Sequence, residues 1–232
     1  MSLTYTETFT TGTTNNLDTY DSDYGYHAGT RYISVREATD RAELTATWGE
    51  CNYSYQDGVI DGGDQTVKCT VMARTTDGGM GPAVRSGYHV SLGGGGWHAY
   101  WLRVGAGGSI SLRKQVGTGS SSQLATGGTC TAGNSYEIIM TVTDTATPGV
   151  RIRVYVNGNT TPVIDYEDTA ADRLTGSGYC GFGGYTEEDA SIAGGANPMW
   201  IDTAYFYNSL EPPAAAGLSI PIAAHHYQEI GT

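Results

Sequence analysis

The chain has little positive charge. It carries 12 Lys and Arg residues against 24 Asp and Glu residues, which gives a net charge of -12. A surface this acidic repels the phosphates of nucleic acids and the headgroups of anionic lipids. We therefore predict no nucleic-acid partner, and the same excess of negative charge favours solubility.

Long apolar runs are also missing. No stretch approaches the roughly 20 apolar residues of a membrane-spanning helix, and Met1-Ser2-Leu3 leads straight into the strand-like TYTETF. A secretory signal would need a basic region and an apolar region at this place. We therefore expect no membrane insertion and a reducing, cytoplasmic location.

Cysteine is scarce. The four cysteines, Cys51, Cys69, Cys130 and Cys180, form no CxxC pair, so a zinc site has little support. Four cysteines allow three disulfide pairings, and spacing alone does not choose among them. Cys69 shares an alternating face with Val67 and Val71, which favours reduced cysteines that pack in a core.

Alternation of apolar and polar residues dominates what is present. Residues 135–164 contain two such runs, one with Tyr136, Ile138, Met140 and Val142, the other with Val150, Ile152, Val154 and Val156. Period-two patterns predict strands with one buried face, and the Asn157-Gly158 pair that follows suits a tight hairpin turn. About twelve short strands follow this pattern, whereas residues 11–30, 49–64 and 117–135 are turn-rich and are predicted to be loops.

We therefore predict an all-β fold, a two-sheet antiparallel sandwich, over residues 1–210. Residues 211–232 differ, because a linker rich in Pro and Ala leads into a second apolar segment. This tail either folds back on its own domain or docks on a partner protein. Its docking residues are predicted to be Leu218, Ile220, Ile222, His225, His226 and Tyr227.

The order of segments resembles a known superfamily. QTVKCTVMAR, AVRSGYHV, YWLRV, SLRKQV, SYEIIMTVTD with VRIRVYVNG, GSGYCGFGGY and WIDTAYFYN occur in that order. Over residues 4–208 this arrangement resembles the laminin-G-like branch of the concanavalin A-like lectin and glucanase superfamily. The resemblance implies a jelly-roll topology and a sugar-binding or adhesive role, and similar domains occur in phage and prophage virion proteins.

The catalytic patterns of that superfamily are not found. Its hydrolases carry Glu-x-Asp-x-Glu on one strand, whereas the acids of this chain at 167–168 and 187–189 are adjacent, so that neighbouring side chains point to opposite faces. The Gln-Ile-His strand of alginate lyases is also missing. We therefore predict that the protein is not an enzyme.

The densest aromatic cluster is predicted to be a sugar-binding site. On a strand, His98 and Tyr100 share one face, while Trp97 and Trp101 share the other. One face must be core, and the other is available to stack on sugar rings, although core packing is the favoured explanation because large aromatic side chains are mostly buried. Trp48 and Tyr53 are secondary candidates.

Acidic residues suggest one metal site. Asp18, Asp21 and Asp23 crowd a single segment, and calcium favours several oxygen ligands from such turns. The spacing does not match an EF-hand, and Asp in turns that bond their own backbone is the favoured alternative. No cofactor is therefore expected, with calcium as the alternative.

Together these features predict a non-enzymatic, virion-type structural or decoration protein that acts by surface contact. Its partners would be protein subunits of a homo-oligomer, capsid or tail, with a glycan as a further ligand, and its location a virion or the cytoplasm. A carbohydrate-binding module of a larger glycan-active system is one alternative. A glycan-cleaving enzyme with an unrecognised site is another.

Overall fold

Fifteen β-strands build the described part of the protein. A computed structural model describes residues 5–9, 24–28, 32–36, 41–45, 49–55, 63–73, 78–88, 97–105, 108–117, 121–146, 148–186 and 199–210. The strands are β1 (Tyr5–Glu7), β2 (Tyr24–Ala28), β3 (Tyr32–Arg36), β4 (Arg41–Thr45), β5 (Gly49–Tyr55), β6 (Gln65–Met72), β7 (Gly78–Tyr88), β8 (Trp97–Val104), β9 (Ile110–Val116), β10 (Ser122–Gly127), β11 (Ser135–Thr145), β12 (Gly149–Val156), β13 (Ile164–Asp168), β14 (Tyr179–Thr186) and β15 (Trp200–Tyr207). Over these ranges the structure has no helix that is long and apolar enough to span a bilayer.

The strands form two antiparallel sheets. Sheet A has eight strands in the order β13-β12-β11-β6-β15-β4-β3, with β1 also paired to β15. Sheet B has seven strands in the order β10-β9-β8-β7-β14-β5-β2. The apolar faces of the two sheets pack against each other, so the predicted jelly-roll sandwich is confirmed.

The central hairpin forms where the alternation predicts it. Strands β11 and β12 pair so that Val142 lies opposite Ile152 and Met140 opposite Val154. After β12 the backbone turns at Asn157 and Gly158, with φ values of 52° and 72°. Two consecutive positive φ values define the type I′ turn that Asn-Gly favours.

The core lies between the sheets and includes the described thiols. Cys69, Cys130 and Cys180 are buried and free. Burial raises the pKa of the Cys69 and Cys180 thiols well above the ordinary value. A protonated, buried thiol is a poor nucleophile and a poor metal ligand, so these cysteines serve packing.

Three segments predicted to be loops contain strands. Residues 24–28 form β2, residues 49–55 form β5 and residues 122–127 form β10. Strands β2 and β10 are the two edges of sheet B, where a strand pairs on one side only. The side chains of β10 are exposed or half-buried, so this strand lacks the apolar alternation that identifies strands in sequence.

A buried arginine connects the two sheets. Arg85 in β7 has no exposed surface and a φ of 49°. Its Nη1 donates to Asp144 Oδ1 in β11 at 2.7 Å and to the Leu174 carbonyl oxygen at 2.7 Å. Its Nη2 donates to the Gly63 carbonyl oxygen at 2.7 Å. One side chain therefore holds three separate segments, and the charge-assisted hydrogen bonds help to offset the cost of burying it.

Candidate functional site on the outer face of sheet B

Strand β8 divides its side chains between two environments. Tyr100, Leu102 and Val104 belong to the main core between the sheets. Ala99 and Trp101 belong to a separate cluster on the opposite side of sheet B. We call that side, which faces away from sheet A, the outer face. The sequence left open which face of β8 is core, and the structure assigns the core to Tyr100.

Tyr100 belongs to a buried polar network. Its hydroxyl donates to Asp168 Oδ2 at 2.7 Å and accepts from the Leu174 amide at 3.0 Å. Lys114, opposite Tyr100 in β9, donates to Asp168 at 3.0 Å and to Asp172 at 2.7 Å. The network links sheet B to β13 of sheet A and leaves the Tyr100 ring no surface on which a sugar could stack.

Hydrogen bonds and burial shift the pKa values of three members of this network, Lys114, Asp172 and Tyr100. Burial alone would lower the pKa of Lys114, but its hydrogen bonds with Asp172 and Asp168 and their charges outweigh burial, so this pKa is raised. The hydrogen bond from Lys114 lowers the pKa of Asp172 against the opposing effect of desolvation. Burial raises the pKa of Tyr100 well above its ordinary value, so the hydroxyl stays protonated and acts as a donor. These properties are structural, and none of them prepares a nucleophile.

The other residues predicted to bind ligands lie in different places. His98 is buried and alternates with Tyr100, opposite Val116 of β9. The side chains of Trp97 and Tyr53 are outside the described part, although their strands are defined. Also outside the described residues are Trp48, Asp18, Asp21, Asp23, Leu218, Ile220, Ile222, His225, His226 and Tyr227. No metal-binding group of three His, Cys, Asp or Glu side chains occurs within the described ranges.

Trp101 and Arg113 form the centre of the outer face. The two residues lie opposite each other on β8 and β9, with the Arg113 Cζ atom 5.9 Å from the Trp101 ring centroid. Arg113 Nε donates to Ser121 Oγ at 2.7 Å, and Nη2 donates to the Ser121 carbonyl oxygen at 2.8 Å. Trp101 has no exposed surface, and its Nε1–H has no acceptor. A buried donor without an acceptor is costly and calls for an explanation.

A second arginine–aromatic pair lies beside the first. The Arg103 Cζ atom is 4.7 Å from the centroid of the Tyr185 ring, and Tyr185 packs against the Trp101 cluster. Arg103, Arg113 and Tyr185 are each partly exposed. We call Trp101, Arg103, Arg113 and Tyr185 the outer-face cluster. Their π faces and guanidinium groups attract one another, which fixes the side-chain directions.

Small residues occupy the strands next to this cluster. Gly81 of β7 lies opposite Gly183 of β14, and Ala83 lies opposite Gly181. A Cβ atom at Gly81 would be 2.6 Å from the carbonyl oxygen of Leu102, so no larger residue fits there. The aromatic and guanidinium groups therefore lie beside a strip of small residues, and this strip is itself buried.

Two arginines lie on the outer face of sheet B in an acidic protein. Arg103 and Arg113 lie on β8 and β9, and Glu50 of β5, whose side chain is outside the described part, lies opposite Tyr185. Sequence reasoning missed both arginines because it followed the aromatic residues. The available signal was alternation: Arg103 lies two residues after Trp101, and the pattern of β9 turns Arg113 outward.

Structure comparisons define the class of fold. No protein-family model and no curated protein sequence matches the chain. A protein of unknown function with a galectin-like fold from Bacillus subtilis is similar at a TM-score of 0.57, with 13% identity over 90% of this chain and 96% of that one. The carbohydrate recognition domain of Emp46p in its potassium-bound form has a TM-score of 0.54, with 11% identity over 89% and 98% of the two chains. At these identities the likeness shows a shared galectin-like β-sandwich.

A third structure corrects the prediction that the protein is not an enzyme. The PL-14 alginate lyase from Aplysia kurodai is similar at a TM-score of 0.59, with 11% identity over 89% of this chain and 99% of that one. The same fold therefore occurs in an enzyme. The missing motifs were not sufficient grounds to exclude an enzyme, because a fold does not determine the chemistry of its sites.

Proposed function

We propose that the protein binds glycans through the outer-face cluster of sheet B. The observation that supports this most directly is the pairing of two arginines with two aromatic rings, since Arg103, Arg113 and Tyr185 are partly exposed. Aromatic rings offer apolar area to the C–H faces of sugars, while guanidinium groups donate several hydrogen bonds to hydroxyl or acidic oxygens. The fold shared with a carbohydrate recognition domain is consistent with this function.

The exposed members of the cluster would meet a sugar first. Arg103, Arg113 and Tyr185 are partly exposed, whereas Trp101 lies beneath them. Trp101 therefore supports the site by holding the direction of Arg113. Tyr185 would contribute a stacking surface once Arg103 turns from the ring toward a ligand.

A glycan array tests this proposal. We expect the wild-type protein to retain a defined subset of glycans, and Tyr185→Ala to lose at least tenfold in affinity for them. Arg151→Gln, on the outer face of sheet A, is the matched surface control and should bind as the wild type does. No retained glycan, or equal retention by Tyr185→Ala, would contradict the proposal.

The same glycans should be incubated with the protein and their length measured. Unchanged chains support a binding domain. Shortened chains would replace the binding assignment by catalysis at this face, since the fold is shared with an alginate lyase.

A virion-type structural role stays a prediction, as does membership of the laminin-G-like branch. Docking on protein subunits was assigned to residues 211–232, which lie outside the described part of the chain. Glycan binding and assembly into a particle are compatible, because they use different parts of the molecule.

A further inference from the structure

We infer that the glycan carries a carboxylate and that Arg113 and Trp101 bind it. This inference rests on the proposed function and names its ligand class. Two donors on the outer face lack the partners that such groups usually have in a folded protein. They lie on neighbouring strands, opposite each other, so one oxyanion can satisfy both.

Arg113 is the first of these donors. Ser121 accepts from its Nε and Nη2 atoms, and no carboxylate contacts it in the described structure. Its Nη1 group and one Nη2 hydrogen remain for another acceptor. A planar guanidinium favours the two oxygens of a carboxylate, because parallel hydrogen bonds form with both.

Trp101 is the second donor. Its indole Nε1–H is fully buried and has no acceptor, although buried polar groups are nearly always hydrogen-bonded. The ring lies under Arg113, so a ligand that draws the guanidinium outward approaches the indole from the same side. An acidic oxygen at this position would accept from the indole and pair with the guanidinium.

The charge of the whole protein makes this site selective. At a net charge of -12, the chain attracts no polyanion by its overall field. Binding of an acidic sugar would therefore depend on local contacts at Arg113, within the roughly 8 Å over which charges act at physiological salt. A carboxylated glycan that binds this protein identifies a specific site, because nonspecific attraction has the wrong sign.

Oligogalacturonate and its methyl ester give a matched pair of probes, since they differ in charge and share their hydroxyl groups. By titration calorimetry we expect the free acid to bind at least tenfold more tightly than the ester. Arg113→Gln should remove that preference, whereas Arg151→Gln, which loses the same charge from sheet A, should keep it. Equal binding of acid and ester would overturn this inference and leave the proposed function intact.

A direct signal from Trp101 completes the test. In protein with ¹⁵N-labelled tryptophan, the indole resonance of Trp101 is identified as the one that Trp101→Phe removes. This resonance should shift when the free acid is added and stay in place when the ester is added. Trp101→Phe keeps a ring in the core of the cluster, so its affinity for the acid should fall several-fold without loss of folding. An unmoved indole resonance, or tighter binding of a sulfated glycan than of the carboxylated one, would overturn the assignment. Failure to bind any glycan on the array would overturn the proposed function as well.

Discussion

Basic side chains on the outer faces of the two sheets have different partners. On sheet A, Lys68 lies 2.8 Å from Glu137 across neighbouring strands, and Arg151 lies 2.7 Å from Asp165. On sheet B, Arg113 lies over an indole ring and donates to a serine. These two sheet A cations are thus matched by carboxylates, although Arg41 of sheet A lies 3.8 Å from the centroid of the Trp200 ring. Arg113 of sheet B keeps donor capacity for a ligand.

The difference shows where function is to be sought in a chain with few cations. Ion pairs on an exposed sheet contribute little to stability and occur on most protein surfaces. A guanidinium that packs on an aromatic ring and has no carboxylate partner is still able to form an ion pair, its strongest interaction, with a ligand. Arginines that carry the same charge therefore differ in their capacity to bind a ligand, according to whether they contact a carboxylate or an aromatic ring.

The largest expected effect on stability comes from Lys114, whose charge is buried between the two sheets and lies on neither outer face. Lys114→Met would leave Asp168, which is 2% exposed, without its cation. Breaking a buried ion pair in this way costs about 3–5 kcal/mol of folding stability. Urea unfolding at neutral pH measures the loss, and Lys114→Met with Asp168→Asn should recover part of it. A loss comparable to that of a surface variant would show that the pair is not buried in solution.

A smaller loss is expected from the same network when only a hydroxyl is removed. Tyr100→Phe leaves the Leu174 amide without its acceptor and Asp168 without one donor. Unsatisfied buried groups cost about 1–3 kcal/mol each. Thermal unfolding checks this, and unchanged glycan binding in the same variant would separate the core face of β8 from its outer face. Reduced glycan affinity in a well-folded Tyr100→Phe would contradict that separation.

Acid should affect the two outer faces unequally. The hydrogen bond from Arg151 holds the pKa of Asp165 below its ordinary value of 3.8, against opposing desolvation. A carboxyl with a lowered folded pKa adds stability above its unfolded pKa and loses it as the pH falls through the folded pKa. Urea midpoints measured below about pH 4 should therefore depend less on pH in Arg151→Gln than in the wild type. Arg113→Gln should keep the wild-type slope, and a flattened slope there would reveal a carboxylate partner for Arg113.

The smallest effect is on stability at neutral pH. Arg113→Gln removes a cation–π contact and the hydrogen bonds to Ser121, a loss of about 1 kcal/mol or less at a partly exposed site. Its thermal midpoint should therefore stay close to that of the wild type, as should that of Arg151→Gln. At neutral pH the two variants should differ in ligand affinity and be alike in stability, and a large destabilisation by Arg113→Gln would make the residue structural.

The sequence predicted the fold where one physical signal was sufficient. Strands β6, β11 and β12 bury one face, so their alternation was visible, and the Asn-Gly turn followed from backbone geometry. Strand β10 is an exposed edge, and β2 pairs with β5 through segments rich in Gly, Tyr and Asn, so neither carries that pattern. Tertiary pairing forms these strands, and local propensity does not indicate it.

The sequence predicted only part of the candidate site. The aromatic pattern of β8 located the strand, but both of its faces carry aromatic rings, so the pattern did not distinguish core from surface. Tyr100 proved to be core, where Asp168, 68 residues further along the chain, accepts from its hydroxyl. The arginines that distinguish the outer face belong to β8 and β9 together, and only the register between those strands brings them side by side.

Arg85 has a consequence for how the molecule opens. Its side chain holds the carbonyl oxygens of Gly63 and Leu174 and the carboxylate of Asp144, and its backbone amide donates to Gln65 Oε1 at 2.7 Å. Release of any one of these segments would expose an unmatched guanidinium to the protein interior. The amide protons along all three segments should therefore exchange with solvent as a single cooperative group, at a rate set by one residue.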